Sequence, residues 1–281
     1  MDPDGAPSVV IDNLVLNNVQ VAVQNVDDAS ILLPGDKNID LWALGRRYNG
    51  STASFNRNSS TGSVAAGPVS APRKPKGLLG DNKALFVRSR PQYEKLSEDD
   101  FLVATKEKIN NNGTGNQTEL INKFLKKAVN ESKVAYFPAG IYAVGGTVFV
   151  PTNSRIQGSG WAQIMGSGFY FSDWKHPRVM VQVGNPGDTG TMEITEMLFT
   201  VKGNTSGIVL MEWNVHEKTQ GSAGMWDSHF RVGGARGTEL DFEKCPKYGM
   251  SVDCTAGQLM LHVTPKSSGY FENVWAWAAD Q

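Results

Sequence analysis

The chain has 281 residues, with 27 Lys and Arg against 28 Asp and Glu and a formal net charge of −1. That length supports one large domain or two small ones with a real core. The charge balance excludes a strongly basic face as the main design feature, so nucleic acid is not an expected partner. No stretch approaches the ~20 apolar residues of a membrane span, so no membrane partner is expected either. With 30 glycines and 13 prolines, tight turns and short β elements are favoured over helix bundles. The opening Met1-Asp2-Pro3-Asp4-Gly5 lacks the basic and apolar regions of a signal peptide. Six Asn-x-Ser/Thr sequons nevertheless begin at Asn49, Asn58, Asn112, Asn116, Asn130 and Asn204. They have meaning in a chain that enters a secretory pathway and are idle in one that does not.

In chain order, residues 8–48 read as short strands, because Ser8 to Val23 is β-branched, locally alternating and punctuated by Asn. Residues 49–84 are dominated by Asn, Ser, Thr, Gly and Pro and read as a flexible linker, too polar to offset its ordering entropy by burial. Residues 85–281 form the main body. One helix is predicted over Gln117–Asn130, where Leu120, Ile121, Phe124, Leu125 and Val129 recur at helical spacing, with Thr118 or Asn116 as its cap. Beyond it, short apolar runs alternate with Gly, Asn and Ser turns.

Four segments share one template: Ile11 to Leu16, Ile194 to Phe199, Trp226 to Arg231 and Phe271 to Ala276. Each begins apolar, polar, polar, and the fourth residue is apolar in all but the third segment, where His229 stands. Plainer strands lie at 146–150, 179–184, 207–213 and 257–263. Irregular spacing with repeated apolar slots is what a β-solenoid produces, since inward side chains stack from coil to coil. A β-sandwich is the competing reading, but the Asn-Gly pairs at 49–50 and 112–113 lie in polar stretches rather than between strands. Cys245 and Cys254, with eight residues between them, either close a short disulfide loop or are two reduced thiols. No CxxC spacing or His cluster points to zinc, and no metal or cofactor is expected.

Several segments resemble a known family. Tyr136 to Val144 resembles the first coil of pectate-lyase-like β-helix domains, with the Gln117–Asn130 helix where such domains carry a cap. The runs Ser154–Trp161, Ile164–Gly168, Val181–Gly190, Val209–Asn214, Gln220–Gly234 and Tyr270–Trp277 look like the fungal exo-β-1,3-glucanases of glycoside hydrolase family 55. The resemblance implies an all-β, right-handed parallel β-helix with one N-terminal capping helix, preceded by a few strands and a long linker. It implies that 1–48 are the last strands of an upstream β-helix domain, 49–84 the linker, and 85–281 a second β-helix that is C-terminally incomplete. In the family pattern Lys108 to Gly115 stands where a Gly-Asp-Gly run is usual. The implied function is inverting hydrolysis of β-1,3-glucan by a secreted monomer whose two β-helix domains dock on each other. The family's catalytic glutamate is expected downstream of Gln281, so the chain alone is expected to be inactive.

An inverting glycosidase needs two carboxyls roughly 6.5–9.5 Å apart, one protonated and one holding water. Candidates are Glu193, Glu196, Glu212, Asp227, Glu272 and Asp280. Glu196, Asp227 and Glu272 sit in polar slots of the template and read as solvated or turn-capping carboxylates, and Glu212 as a structural one. Asp280 is the best positional match to the family. Trp275 and Trp277, two apart on a strand, point to one side. They form either a sugar-stacking wall or bulky core rungs. Trp213 and Trp226 read as packing residues, and His176, His216, His229 and His262 show no metal spacing. The substrate-binding set expected from the resemblance is therefore Trp275, Trp277 and Asp280.

Overall fold

The computed structural model describes residues 8–35, 38–47, 63–70, 72–81, 84–246, 248 and 251–279. It divides into two compact units between Val87 and Arg88. In the first unit, β1 (Val9–Val15), β2 (Val21–Gln24), β3 (Ile31–Pro34), β4 (Asn38–Arg47) and β5 (Ser63–Pro68) pair antiparallel throughout. β1, β4 and β5 make one sheet, and β2 with β3 a hairpin. Among the described residues, Trp42 and Leu33 are the unit's buried apolar side chains. Ile11 to Leu16 thus carries the template within an antiparallel strand, not within a stack of parallel ones. Within the polar stretch 49–84, β5 pairs along β4, and Lys76–Leu78 forms a single 3-10 turn.

The second unit holds β6 (Phe101–Val103), α1 (Thr118–Asn130), β7 (Val134–Phe137), β8 (Gly140–Val144), β9 (Val148–Val150), β10 (Arg155–Ser167) and β11 (Arg178–Val183). There follow β12 (Thr189–Gly190), β13 (Met192–Lys202), β14 (Ile208–Trp213), β15 (His216–Glu217), β16 (Ala223–Trp226), β17 (His229–Val232), β18 (Leu259–Val263), β19 (Tyr270–Glu272) and β20 (Trp275–Ala278). Every ladder between these strands is parallel. One sheet runs β6-β7-β10-β13-β16-β19, widened by β8, β17 and β20 along the second halves of β10 and β13. The other runs β9-β11-β14-β18. Each pass of the chain (β7–β9, β10–β12, β13–β15, β16–β18, then β19–β20) lays its strands on those of the pass before. The fold is mostly β, with one helix and parallel sheets that grow together, as in a solenoid.

The register explains the repeated apolar slots. Tyr142, Ile164, Phe199 and Phe230 line up across successive strands and are buried, with Ala276 next in the column. The Phe199 and Phe230 rings stack at 5.3 Å. A second inward column is Ala135, Ile156, Ile194, Met225 and Phe271. Gly166 occupies an inward slot that Ile208 and Met180 fill from the other sheet. A Cβ there would lie 2.5 Å from Ile208 Cδ1.

The third template segment is set one residue differently from the sequence expectation. Thr195 pairs with Trp226 and Trp226 with Glu272, so Met225, not Trp226, shares the slot of Ile194 and Phe271. With that register the second polar position is the same backbone feature everywhere: Asn13, Glu196, Asp227 and Asn273 all have φ between 49° and 54° or at 55°. This left-handed kink turns the strand, and short polar side chains tolerate it best. The slip arose because Trp226 points outward yet is buried.

α1 starts one residue later than expected and lies over the first pass through buried Ile121, Phe124, Leu125 and Ala128. Phe124 meets Phe137 edge-to-face at 5.3 Å. The N-cap position of α1 is Gln117, whose side chain makes no cap bond; one residue earlier Asn116 Oδ1 accepts from the Thr118 amide at 3.1 Å and the Gly145 amide at 3.0 Å. Cys245 and Cys254 are joined as a disulfide.

Candidate functional site: an outward aromatic pair and a strapped sheet face

Because strand side chains alternate, the neighbours of the inward columns form outward ones. One reads Gln163, Leu198, His229, Trp275, and the next Met165, Thr200, Arg231, Trp277. Trp275 and Trp277 therefore stand on the outer face of the larger sheet, with Ala276 between them in the inward column. They are 56% and 45% exposed. Their rings stack on each other at 5.5 Å with planes 18° apart, and His229 packs against Trp275 at 5.7 Å. Beside Trp277, Arg231 Nε and Thr200 Oγ1 are buried without a hydrogen-bond partner. Asp280, the third residue of the expected substrate-binding set, lies outside the described residues.

The carboxylate candidates fall elsewhere. Residues 88–93 cross the first half of the larger sheet as a strap. Arg88 pairs with Glu193 Oε1 at 2.6 Å and also donates to the Gly221 carbonyl. Its guanidinium lies 5.1 Å from the Trp226 ring centre, and Trp226 Nε1 donates to the Arg88 carbonyl at 3.1 Å. This cover is what buries an outward tryptophan. Arg90 pairs with both Glu196 and Asp227, the latter at 3.0 Å. Tyr93 donates its hydroxyl to Glu193 Oε2 at 2.9 Å. Burial, with the Glu193 charge beside it, pushes the Tyr93 phenol far above its usual range. Glu272 accepts from the Tyr270 hydroxyl. Glu212 accepts from Asn214 at 3.0 Å and meets His262 at 3.3 Å. Glu193, Glu196 and Asp227 are thus committed to two arginines rather than poised across a cleft.

His229, which the sequence offered only as a histidine without metal spacing, and Arg231 are neighbours of the aromatic pair. The signal is the register alone, since each follows from pairing β17 with β20. Among the described residues, no group of three or more His, Cys, Asp or Glu is placed to hold a metal ion. No described helix is long and apolar enough to cross a membrane.

Parallel sheets built pass by pass, with one helix over the first pass and an outward aromatic pair on the last, define a mostly-β solenoid-like protein. Comparison with known proteins finds several similar sequences. A "Probable glucan endo-1,3-beta-glucosidase" of Arthroderma benhamiae is 41% identical over 74% of this chain, and a "Glucan 1,3-beta-glucosidase" of Cochliobolus carbonum is 35% identical over 99%. A "Non-secreted LysM effector LysM15" of Penicillium expansum is 40% identical over 99%. The chain spans 24%, 34% and 20% of those three relatives, respectively. No protein-family model matches. A solved structure described as a glycosyl hydrolase from Parabacteroides merdae overlays 64% of the chain and 99% of its own length, at 9% identity and a TM-score of 0.28. A likeness at that level carries no argument.

Proposed function

We propose that the chain is part of a right-handed parallel β-helix glycoside hydrolase resembling the family 55 exo-β-1,3-glucanases, and that this part holds substrate rather than supplying the catalytic acid. The observation that carries the reading is the exposed, outward Trp275 and Trp277 pair, together with relatives named for glucan 1,3-β-glucosidase activity. Sugar rings present apolar C–H faces that stack on such indoles. The partner is β-1,3-glucan, the full protein is extracellular, and a companion β-helix domain completes the cleft. Asp280 belongs with the tryptophans as a substrate contact. The strapped carboxylates support a holding role, because each is engaged by an arginine on the sheet face rather than facing a partner carboxyl across an open cleft.

A non-catalytic carbohydrate-binding module is the second reading, favoured by the same commitment of Glu193, Glu196 and Asp227 to Arg88 and Arg90. Two measurements test the proposal. Laminarin incubated with the purified chain is expected to release no glucose above a blank, and release would overturn the holding role. Trp275→Ala with Trp277→Ala is expected to weaken laminarin binding about tenfold or more, as loss of two stacking contacts implies.

A further inference from the structure

A second exposed aromatic group lies away from the Trp275 and Trp277 pair, on the turn between β10 and β11. Phe169 is 92% exposed, Trp174 62% and Tyr170 is also exposed. Three large aromatic side chains exposed within six residues offer surface for a contact. The turn is not loose. Phe171 is fully buried in the core and anchors it, its amide donating to the Gly168 carbonyl at 3.1 Å and its carbonyl accepting from Gly207 at 2.9 Å. Ser206 Oγ donates to the Ser172 carbonyl at 2.5 Å. Asp173 accepts from the Lys175 amide at 2.9 Å and holds His176 at 2.8 Å. Arg178 lies over the Tyr170 ring at 5.4 Å and Lys175 over the Trp174 ring at 5.6 Å. Tyr170 and Trp174 are thus held by neighbouring cations, and rings already held lose little freedom on binding.

Beside Phe169 opens a groove of about 500 Å³ lined by Met165, Ser167, Phe169, Lys202, Asn204 and Glu239. Lys202 and Glu239 form an ion pair there at 3.1 Å. A flat ring flanked by the Ser167 hydroxyl and an ion pair matches a ligand with one apolar face and a rim of hydroxyls. That is the chemistry of a neutral polysaccharide, and it fits a protein partner's apolar side chains less well. β10 and β20 are three strand steps apart through β13 and β17, so the two aromatic groups are separated by about 14 Å or more at ~4.8 Å per step.

We infer that the Phe169–Trp174 turn and its groove are a second binding surface for a β-linked glucan, separate from the tryptophan pair. The inference rests on the proposed function for the ligand's class. The experiment measures laminarin affinity calorimetrically for the purified chain, for Phe169→Ala with Trp174→Ala, for Trp275→Ala with Trp277→Ala, and for all four together. The first double variant is expected to lose about tenfold in affinity, and the quadruple variant more than either double. Thermal melting checks that each folds, and Phe169→Tyr is expected to retain binding. Wild-type affinity in the Phe169 and Trp174 variant, with loss only in the other, overturns this inference and leaves the proposed function standing. No glucan binding by the wild type overturns both. A variant that alters sedimentation but not laminarin affinity assigns the turn to self-association and also overturns the inference.

Discussion

Asn273 shows how one backbone angle governs a side chain's identity. Its φ of 52° lies in the left-handed region, and its Nδ2 donates to Asp227 Oδ1 at 3.0 Å. Asn273→Gly removes only the hydrogen bond, whereas Asn273→Val removes it and adds backbone strain. Valine is therefore expected to destabilise by about 1–2 kcal/mol more than glycine, read from urea midpoints. The polar slots of the template were legible in the sequence because the kink selects such residues. The register of Trp226 was not, because an apolar residue covered by a distant strap looks the same in sequence as one facing the core. Asp188 offers a pH test. It accepts from the Asn185 amide and from the Thr152 hydroxyl, which hold its carboxyl below the usual range. Its contribution is present above the unfolded carboxylate pKa of about 3.9 and is lost as pH falls through the lower folded value. Asp188→Asn is expected to flatten the acid limb of a stability–pH curve, and an unchanged acid limb would count against this assignment.

Among the elements, the helix and most strands were readable from apolar spacing, because α1 and the inward columns both repeat at the period of their own geometry. The strap was not. Arg88 and Arg90 meet partners 105 to 138 residues away, and no local pattern encodes such pairs. The same lack of a local signal hid His229 and Arg231 beside the tryptophans, while the tryptophans themselves stood out by type and spacing. Arg90→Ala leaves Glu196 and Asp227 without their shared cation. The pairs are partly exposed, so the expected loss is about 1 kcal/mol, falling toward zero in molar salt where screening acts within ~3 Å. Equal destabilisation at low and high salt would mean the arginine acts through packing instead.

For the whole molecule, the last pass matters most. Among the described residues β18, β19 and β20 are each paired on one side, and Ala276 leaves the inward column open beyond Phe230. An uncovered sheet edge invites pairing with another chain. Concentration-dependent association is expected in sedimentation velocity, and Ala276→Lys is expected to suppress it; a chain that stays monomeric at high concentration would refute the expectation. Stacked passes touch only their neighbours, so such a stack can open from one end like a zipper. The strap changes that. Arg88 grips Glu193 of the third pass and the Gly221 carbonyl just ahead of the fourth, Arg90 joins Glu196 to Asp227, and the same segment leads into β6 at the opposite end. It works as a drawstring: peeling the fourth pass away pulls on the beginning of the unit. Opening from that end therefore also has to release Arg88 and Arg90, which a protease or a stretching force would meet as an added barrier.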